Sequence, residues 1–190
     1  MMQNVQKSAT ESSIMSDIRL AGFVNDSITD GPGIRATVFV QGCLHHCPGC
    51  HNPQSWPLEG GTLVTAEALF AQIRQNPLLK GVTFSGGEPM LQAEALIPLA
   101  GMIRDAGLEL AIYSGYTFEQ ILEQGGTMTQ LLALADTLID GPFILAERSL
   151  AIPFRGSRNQ RIIDVAASLQ AKKAIIQNSP RWGGPKKLFD

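Results

Sequence analysis

The chain has 190 residues and a formal net charge of −2, with 44% hydrophobic and 17% charged residues. This length and composition fit one globular domain with a buried core. No apolar run approaches the roughly 18 residues that cross a bilayer, and residues 1–17 lack the apolar centre of a secretory signal. We therefore expect a cytoplasmic protein with no membrane segment.

Strands and helices are predicted to alternate along the chain, after a flexible leader at 1–17. Strands are predicted at 18–24, 35–41, 81–85, 108–114, 136–140 and 160–165, and helices at 66–73, 95–106, 117–124 and 128–135. Alternation of this kind predicts βαβ units and a mostly parallel sheet. With four or five such units, an α/β fold of the open, partial β/α barrel type fits better than a closed barrel of roughly 250 residues.

Charge is unevenly distributed along this order. Residues 151–190 carry eight Lys or Arg against two Asp or Glu, whereas residues 1–150 carry seven against fifteen. Such a basic region can mark a docking surface for an acidic partner or for nucleic acid. For the last stretch, 180–190, the pattern favours a solvated tail, and we expect no direct contact with nucleic acid.

All three cysteines lie within eight residues, as Cys43, Cys47 and Cys50 in a C-x3-C-x2-C pattern. Three thiolates on one loop can bind three corners of a cubane iron–sulfur cluster, which usually takes four cysteines. One iron would then have no protein ligand, and an open position on a metal is where a small molecule binds. Pro48 and Gly49 favour a tight loop, since proline fixes φ and glycine permits positive φ.

Two other uses of these cysteines remain open. Together with His45, His46 or His51 they could hold a structural zinc ion as Cys3His, although such sites usually draw on two separated pairs. A disulfide with one thiol left over suits an oxidising compartment, which nothing in the sequence indicates. The pattern favours the open-site cluster, with the histidines as supporting or surface groups.

Four loops of unusual composition each follow a predicted strand: the cysteine loop and the segments 86–89, 114–116 and 140–142. Ligands of parallel sheets and barrels bind where the carboxyl ends of the strands meet. Gly86 and Gly87 would let the backbone approach a ligand that chelates the open iron through an amine and a carboxylate. Glu88 would orient its ammonium group. We expect these four loops to form one composite site.

These motifs closely resemble the radical S-adenosylmethionine superfamily, and within it the activating enzymes of the anaerobic (class III) ribonucleoside-triphosphate reductase. The resemblance covers roughly residues 23–165 and includes Trp56 and the segments 30–35, 42–52, 85–89, 113–117, 140–143 and 154–160. The last two segments, with the short chain, distinguish it from pyruvate formate-lyase activators, which share the first motifs. Residues 18–165 are therefore expected to form a radical S-adenosylmethionine domain.

The resemblance implies a [4Fe–4S] cluster on Cys43, Cys47 and Cys50, with S-adenosylmethionine chelating the fourth iron. Its methionine end would contact Gly86, Gly87 and Glu88, and its nucleoside end Gly49, Cys50 and His51. One electron from a flavodoxin-like donor would cleave it to methionine and a 5′-deoxyadenosyl radical, which abstracts hydrogen from a glycine of the reductase. No general acid or base is implied.

Three alternatives stay open beside this interpretation: an activator of another glycyl-radical enzyme, a radical enzyme acting on a small molecule, and a zinc-stabilised interaction module. His51 stands where the family commonly has Tyr, so ring stacking is not implied there. Residues 166–190 form a basic extension to which the resemblance gives no role. The loops 30–35 and 154–160, with Arg155, Arg158 and Arg161, are candidate docking surfaces for the reductase.

Overall fold

A computed structural model of the protein describes residues 17–184, so the predicted leader lies outside the described residues except for Asp17. The strands are β1 (Ile18–Ser27), β2 (Arg35–Val40), β3 (Thr62–Val64), β4 (Gly81–Gly86), β5 (Glu109–Tyr113), β6 (Thr137–Asp140) and β7 (Arg161–Asp164). The α-helices are α1 (Ala66–Ile73), α2 (Ala93–Asp105), α3 (Phe118–Gln124), α4 (Gly126–Leu134) and α5 (Val165–Ala171). None of these helices is long and apolar enough to cross a membrane.

One seven-stranded sheet, in the order β3-β1-β2-β4-β5-β6-β7, organises the described chain. Its centre, β2-β4-β5-β6, is parallel, whereas β1, β3 and β7 pair antiparallel at its flanks. This confirms a mixed α/β fold with a largely parallel sheet. Three helical connections join the parallel strands, fewer than the four or five expected units, because the outer strands enter the sheet in the opposite direction. β1 lies inside the sheet, since β3 forms the edge.

Local sequence signals account for most of the helix boundaries. Thr65 caps α1 by accepting a hydrogen bond from Ala68 N, and Thr117 opens α3 with the predicted capping box. α2 begins at Ala93, two residues before the predicted start, because a 3₁₀ turn at Pro89–Gln92 leads directly into the helix. β3 and α5 were not predicted, and the predicted domain boundary at residue 165 falls at the start of α5.

All five α-helices lie on one face of the sheet. Their apolar side chains form a single cluster with alternate strand residues such as Val38, Phe84 and Ile112. The opposite face carries a smaller cluster of Ala111, Ile139, Ile162 and Trp182, with Tyr113 and Phe154 packed against it. One face is therefore a helix-covered core, and the other is covered by loops and the C-terminal segment.

The C-terminal segment packs on this second face as far as it is described. A 3₁₀ turn at Pro180–Trp182 buries Trp182, whose ring centroid lies 5.5 Å from that of Phe154. Trp182 Nε1 donates a hydrogen bond to Glu109 Oε1 at 2.9 Å. The expectation of a solvated tail is wrong for 180–184, because one large aromatic ring outweighs the polar residues around it, while 185–190 lie outside the described residues.

Candidate active site

The cysteine loop leaves the sheet at the carboxyl end of β2 and is closed at its base. Gly42 N donates to Ser55 O at 2.8 Å, and Cys43 N donates to Trp56 O at 3.0 Å. These two hydrogen bonds join the start of the loop to its end. The loop is thus a closed unit anchored at the end of β2.

Inside the loop, all three cysteines are free thiols, with Cys43 buried and Cys47 and Cys50 half-buried. Cys50 N donates to Cys47 O at 3.0 Å in a tight turn, which Gly49 makes possible with φ 76°. Within residues 17–184, no three His, Cys, Asp or Glu side chains converge as the ligands of one metal ion must. The ligands of a cluster bind separate irons and need no such convergence, so three soft thiolates on this turn fit a cluster.

The thiol of Cys43 lies close to a negative charge as well as in the protein interior. Burial raises the pKa of Cys43, and the nearby carboxylate of Glu88 adds to this rise, whereas backbone N–H groups of His45 and His46 oppose it. Thiolate is the form that binds a metal. Loading of iron at Cys43 would therefore release a proton, with the neighbouring N–H groups stabilising the anion that remains.

The turn Gly86-Gly87 lies directly against the base of the cysteine loop. Gly87 N donates to Val40 O at 2.7 Å, and Glu88 N donates to Gly42 O at 2.8 Å. A Cβ atom at Gly87 would lie 2.3 Å from Gly42 O, and one at Gly86 would lie 2.6 Å from Val40 N. Glycine is required at both positions because the protein's own backbone comes close, and the predicted approach of a ligand to this turn stays a prediction.

The carboxylate of Glu88 is buried and joins three of the four loops. Its Oε1 accepts hydrogen bonds from Met90 N at 3.0 Å and Ser114 Oγ at 2.9 Å. Its Oε2 accepts from Gly115 N at 2.7 Å and contacts His45 Nε2 at 2.9 Å. A carboxylate offers about four acceptor positions, and each of these has a protein partner. The ammonium contact expected of Glu88 stays a prediction, and it would require one of these partners to give way.

The cysteine loop also reaches the loop that follows β6. A Cβ atom at Gly49 would lie 2.9 Å from Leu145 Cδ1, and the His51 ring centroid lies 5.4 Å from that of Phe143. The cysteine loop therefore contacts the loops after β4, β5 and β6, which confirms that the four loops meet. Gly49, Cys50 and His51 lie on its β6 side, whereas Gly86, Gly87 and Glu88 lie at its base.

A second buried carboxylate lies at the end of β6 and joins this strand to α3 and β7. Asp140 accepts hydrogen bonds from Phe118 N at 2.8 Å and from Arg161 Nε at 2.9 Å. Arg161 also pairs with Glu119, so the hydrogen bonds to both carboxylates raise its pKa. Arg161 thus stabilises the rim from within and is not a free docking charge.

The comparisons with known proteins agree on one family. The profile of the 4Fe-4S single cluster domain matches residues 29–163. The anaerobic ribonucleoside-triphosphate reductase-activating proteins of Vibrio cholerae and Haemophilus influenzae are 33% and 32% identical over 143 residues, which is 71% of this chain and 90% of each relative. The chain belongs to this family of activating proteins.

A shorter match extends to a neighbouring group of this family. The pyruvate formate-lyase-activating enzyme of Clostridium pasteurianum is 41% identical over 114 residues, but this chain spans only 48% of it. A solved structure, QueE from Escherichia coli, aligns over 58% of this chain at 18% identity with a TM-score of 0.47. Both activator groups are glycyl-radical activating enzymes of the radical S-adenosylmethionine class, so the cofactors are a [4Fe–4S] cluster and S-adenosylmethionine.

Because the chain belongs to this family of activating enzymes, it is an enzyme, and the zinc-stabilised interaction module has no support.

The structure also locates the two predicted docking loops. Residues 154–160 precede β7, which runs antiparallel to β6 and begins opposite Asp140, the last residue of β6. They therefore lie at the carboxyl ends of the parallel strands, as the cysteine loop does. Residues 30–35 precede β2 and lie at the opposite edge, with Arg35 fully buried. The loop 30–35 is therefore separated from the cysteine loop by the length of β2, and docking of a partner there stays a prediction.

The sequence missed the contacts that hold these loops together. His45 was expected to be a supporting or surface group, and the structure makes it a supporting one, whose ring contacts the carboxylate of Glu88; this partner was not predicted. Ser114 and Gly115 belonged to a recognised loop, but nothing in the pattern indicated that they donate to the same carboxylate. The only available signal was the proximity of His45 to two cysteines, which His46 shares.

Proposed function

We propose that this protein installs a glycyl radical in the anaerobic ribonucleoside-triphosphate reductase, with Cys43, Cys47 and Cys50 as the three protein ligands of its cluster. The observation that carries the proposal is the C-x3-C-x2-C loop, which projects from the carboxyl end of β2 and contacts all three neighbouring loops of that edge. A bound cluster, reduced by an external one-electron donor, would supply the electron for reductive cleavage of S-adenosylmethionine. What the chain supplies is placement of the ligands.

S-adenosylmethionine would lie across the cysteine loop. Its methionine end would meet the loop base at Gly86, Gly87 and Glu88, and its nucleoside end the side formed by Gly49, Cys50 and His51. His51 is exposed and packs against Phe143, so its backbone and ring can both border the nucleoside. The free thiols suit a reducing cytoplasm, and a flavodoxin-like protein is the proposed electron donor.

The sheet would form part of an open β/α barrel whose inner surface is the face that carries none of the α-helices described in residues 17–184. The placement of all five helices on the other face supports this arrangement, since a doubly wound sheet has helices on both faces. The inner face also carries buried polar side chains, among them Thr37 and Thr83. A protein segment bearing the target glycine would enter from the cysteine edge, because Trp182 and Phe154 cover the inner face elsewhere.

Pyruvate formate-lyase is the second candidate partner, on the ground of the 41% identity to the Clostridium pasteurianum activator. The length of the match favours the reductase, because this chain spans 90% of the reductase activators and 48% of that enzyme. The reconstituted protein should be incubated anaerobically with each partner, S-adenosylmethionine and a reductant. A glycyl-radical signal on the reductase alone supports the proposal. A signal on pyruvate formate-lyase alone would contradict it.

A further inference from the structure

His45 lies where the loops after β2, β4 and β5 meet. Its Nε2 is 2.9 Å from Glu88 Oε2, and its ring makes an edge contact with Tyr116 at a centroid distance of 4.6 Å. A Cβ atom at Gly115 would lie 2.3 Å from Cδ2 of the same ring. The imidazole therefore occupies a slot that exists only because residue 115 has no side chain. We name these four residues, His45, Glu88, Gly115 and Tyr116, the histidine clamp.

The clamp residues on the β4 and β5 side are held independently of His45. Glu88 is 1% exposed, and it accepts three hydrogen bonds from Met90 N, Ser114 Oγ and Gly115 N. These donors lie in the segments that follow two neighbouring parallel strands, β4 and β5. The carboxylate is thus a fixed acceptor, and whatever binds it takes its position from the sheet. A hydrogen bond to a buried charged group is among the stronger ones in proteins.

His45 stands midway between Cys43 and Cys47, so holding its ring holds the segment that carries both thiols. The next residue, His46, has φ 47°, a left-handed conformation that is unusual for a residue with a side chain. Such a conformation persists where the surrounding structure enforces it. The fixed ring of His45 on one side, and the contact of the His46 ring with Trp56 at the loop base at a centroid distance of 5.0 Å, provide that enforcement.

We propose that His45 is a positioning residue: by binding Glu88 against Gly115, it holds the cysteine loop in the shape that accepts a cluster before any cluster is present. The inference rests on the proposed function only in naming the cluster as the group accepted. The clamp itself consists of protein atoms and can be measured in metal-free protein. It assigns to Glu88 a role in the loop that is separate from any contact with S-adenosylmethionine.

The test compares four variants of the metal-free chain by amide hydrogen exchange. His45→Ala removes the ring, and Gly115→Ala fills the slot without changing either hydrogen-bonding side chain. His45→Gln keeps a side-chain N–H that can reach Glu88. Gly101→Ala is the matched control, because a Cβ atom there meets nothing within 4 Å. We expect exchange at residues 43–52 to rise about tenfold in the first two, and less in His45→Gln. The control should match the wild type.

A purely global role would produce a different pattern, in which exchange rises throughout the sheet and the melting temperature falls. Unchanged exchange at 43–52 in His45→Ala would overturn the proposal, as would a rise spread over the whole sheet. If Gly115→Ala does not fold, the comparison of His45→Ala with His45→Gln is sufficient to test the proposal. The yield of cluster after iron and sulfide are added should follow the same order as the exchange. Loss of protection in a protein that never accepts a cluster would leave the clamp standing and refute the proposed function.

Discussion

The parallel strands have two ends, the carboxyl edge that bears the cysteine loop and the opposite edge where the strands begin. Each of these edges contains one buried charged side chain, and the two side chains differ in their surroundings. At the carboxyl edge, Glu88 is held by hydrogen bonds from three loops. At the opposite edge, Arg35 is fully buried and donates to Thr83 Oγ1 at 2.8 Å and Val82 O at 2.7 Å. Arg35 also pairs with Glu109 and lies 5.6 Å from the Trp182 ring centroid.

This difference indicates that the carboxyl edge forms the candidate active site, whereas the opposite edge stabilises the fold. Glu88 draws on loops that leave the sheet, and the fixed loops surround three thiols. Arg35 draws on the strands themselves and on the C-terminal segment, which close that edge. Burial lowers the pKa of Arg35, and the neighbouring Glu109 opposes this fall. Changes at the carboxyl edge should therefore affect cofactors, and changes at the opposite edge should affect stability.

The largest effect should come from the thiols. Replacement of Cys43, Cys47 or Cys50 by Ala should abolish cluster-dependent activity, because the chain has three cysteines and no thiol can substitute. Iron content and S-adenosylmethionine cleavage are the measurements, with thermal unfolding of the metal-free protein as the control for folding. One such variant with full activity would remove the cysteines from the cluster assignment.

Gly87→Val should come next, and it separates two explanations of the glycine turn. If the turn served only the ligand, S-adenosylmethionine binding would weaken while iron content stayed normal. The 2.3 Å approach of a Cβ atom to Gly42 O predicts instead that both fall, because the cysteine loop must move. Iron per chain and ligand affinity should be measured beside the Gly101→Ala control. Normal iron with weak binding would show that the strain does not reach the loop.

Arg35→Ala tests the supporting edge. It leaves Glu109 with a weaker set of partners and the Thr83 hydroxyl and Val82 carbonyl without their donor. We expect the free energy of unfolding in urea to fall by about 3 kcal/mol, the lower end for a broken buried pair, because Arg181 still contacts Glu109. Arg104→Ala, at an exposed helix position, should change it by less than about 0.5 kcal/mol. Equal values for the two variants would contradict the supporting role.

Trp182→Phe should have a smaller effect at the same edge. Phenylalanine keeps an aromatic ring beside Phe154 but loses the hydrogen bond from Trp182 Nε1 to Glu109. The expected cost is about 1–2 kcal/mol of unfolding free energy, with cluster content unchanged. A loss of cluster without a loss of stability would place the C-terminal segment in the site instead.

The smallest effect concerns docking of the partner. Arg158 is exposed and lies in the loop 154–160, on the cysteine edge. Arg158→Glu should slow glycyl-radical formation on the reductase several-fold at low salt, and less at high salt, while uncoupled S-adenosylmethionine cleavage is spared. Arg104→Glu, on a helix of the other face, controls for the change in net charge. Equal losses in both assays would assign Arg158 to the fold or the cofactor site.

The sequence predicted the carboxyl edge of the sheet better than the opposite edge. The cysteine edge was predictable because its chemistry needs particular residue types, such as thiols at Cys43 and small residues at Gly86. Strand periodicity likewise placed the carboxyl ends of β2 and β4 together. The partners of Arg35 could not be found this way, since Glu109 lies 74 residues further along the chain and any carboxylate would satisfy the pattern.

Within the site, the sequence predicted which residues take part better than it predicted which partners their side chains contact. Adjacent histidines in the cysteine loop have different partners, since His45 contacts Glu88 whereas the exposed His46 packs against Trp56. The pattern C-x3-C-x2-C does not distinguish them, because the choice depends on a slot made by Gly115 in another loop. Trp182 was missed for a related reason: its burial depends on Phe154 and Glu109, which are distant in sequence.

The most direct test of the central claim, that the cysteine edge holds a cluster with one open iron, is anaerobic reconstitution followed by reduction with S-adenosylmethionine present. We predict about four irons and four sulfides per chain, cleavage of S-adenosylmethionine to methionine and 5′-deoxyadenosine, and a change in the spectrum of the reduced cluster when S-adenosylmethionine is added. A single tightly bound metal ion per chain, with no sulfide and no cleavage, would contradict the account.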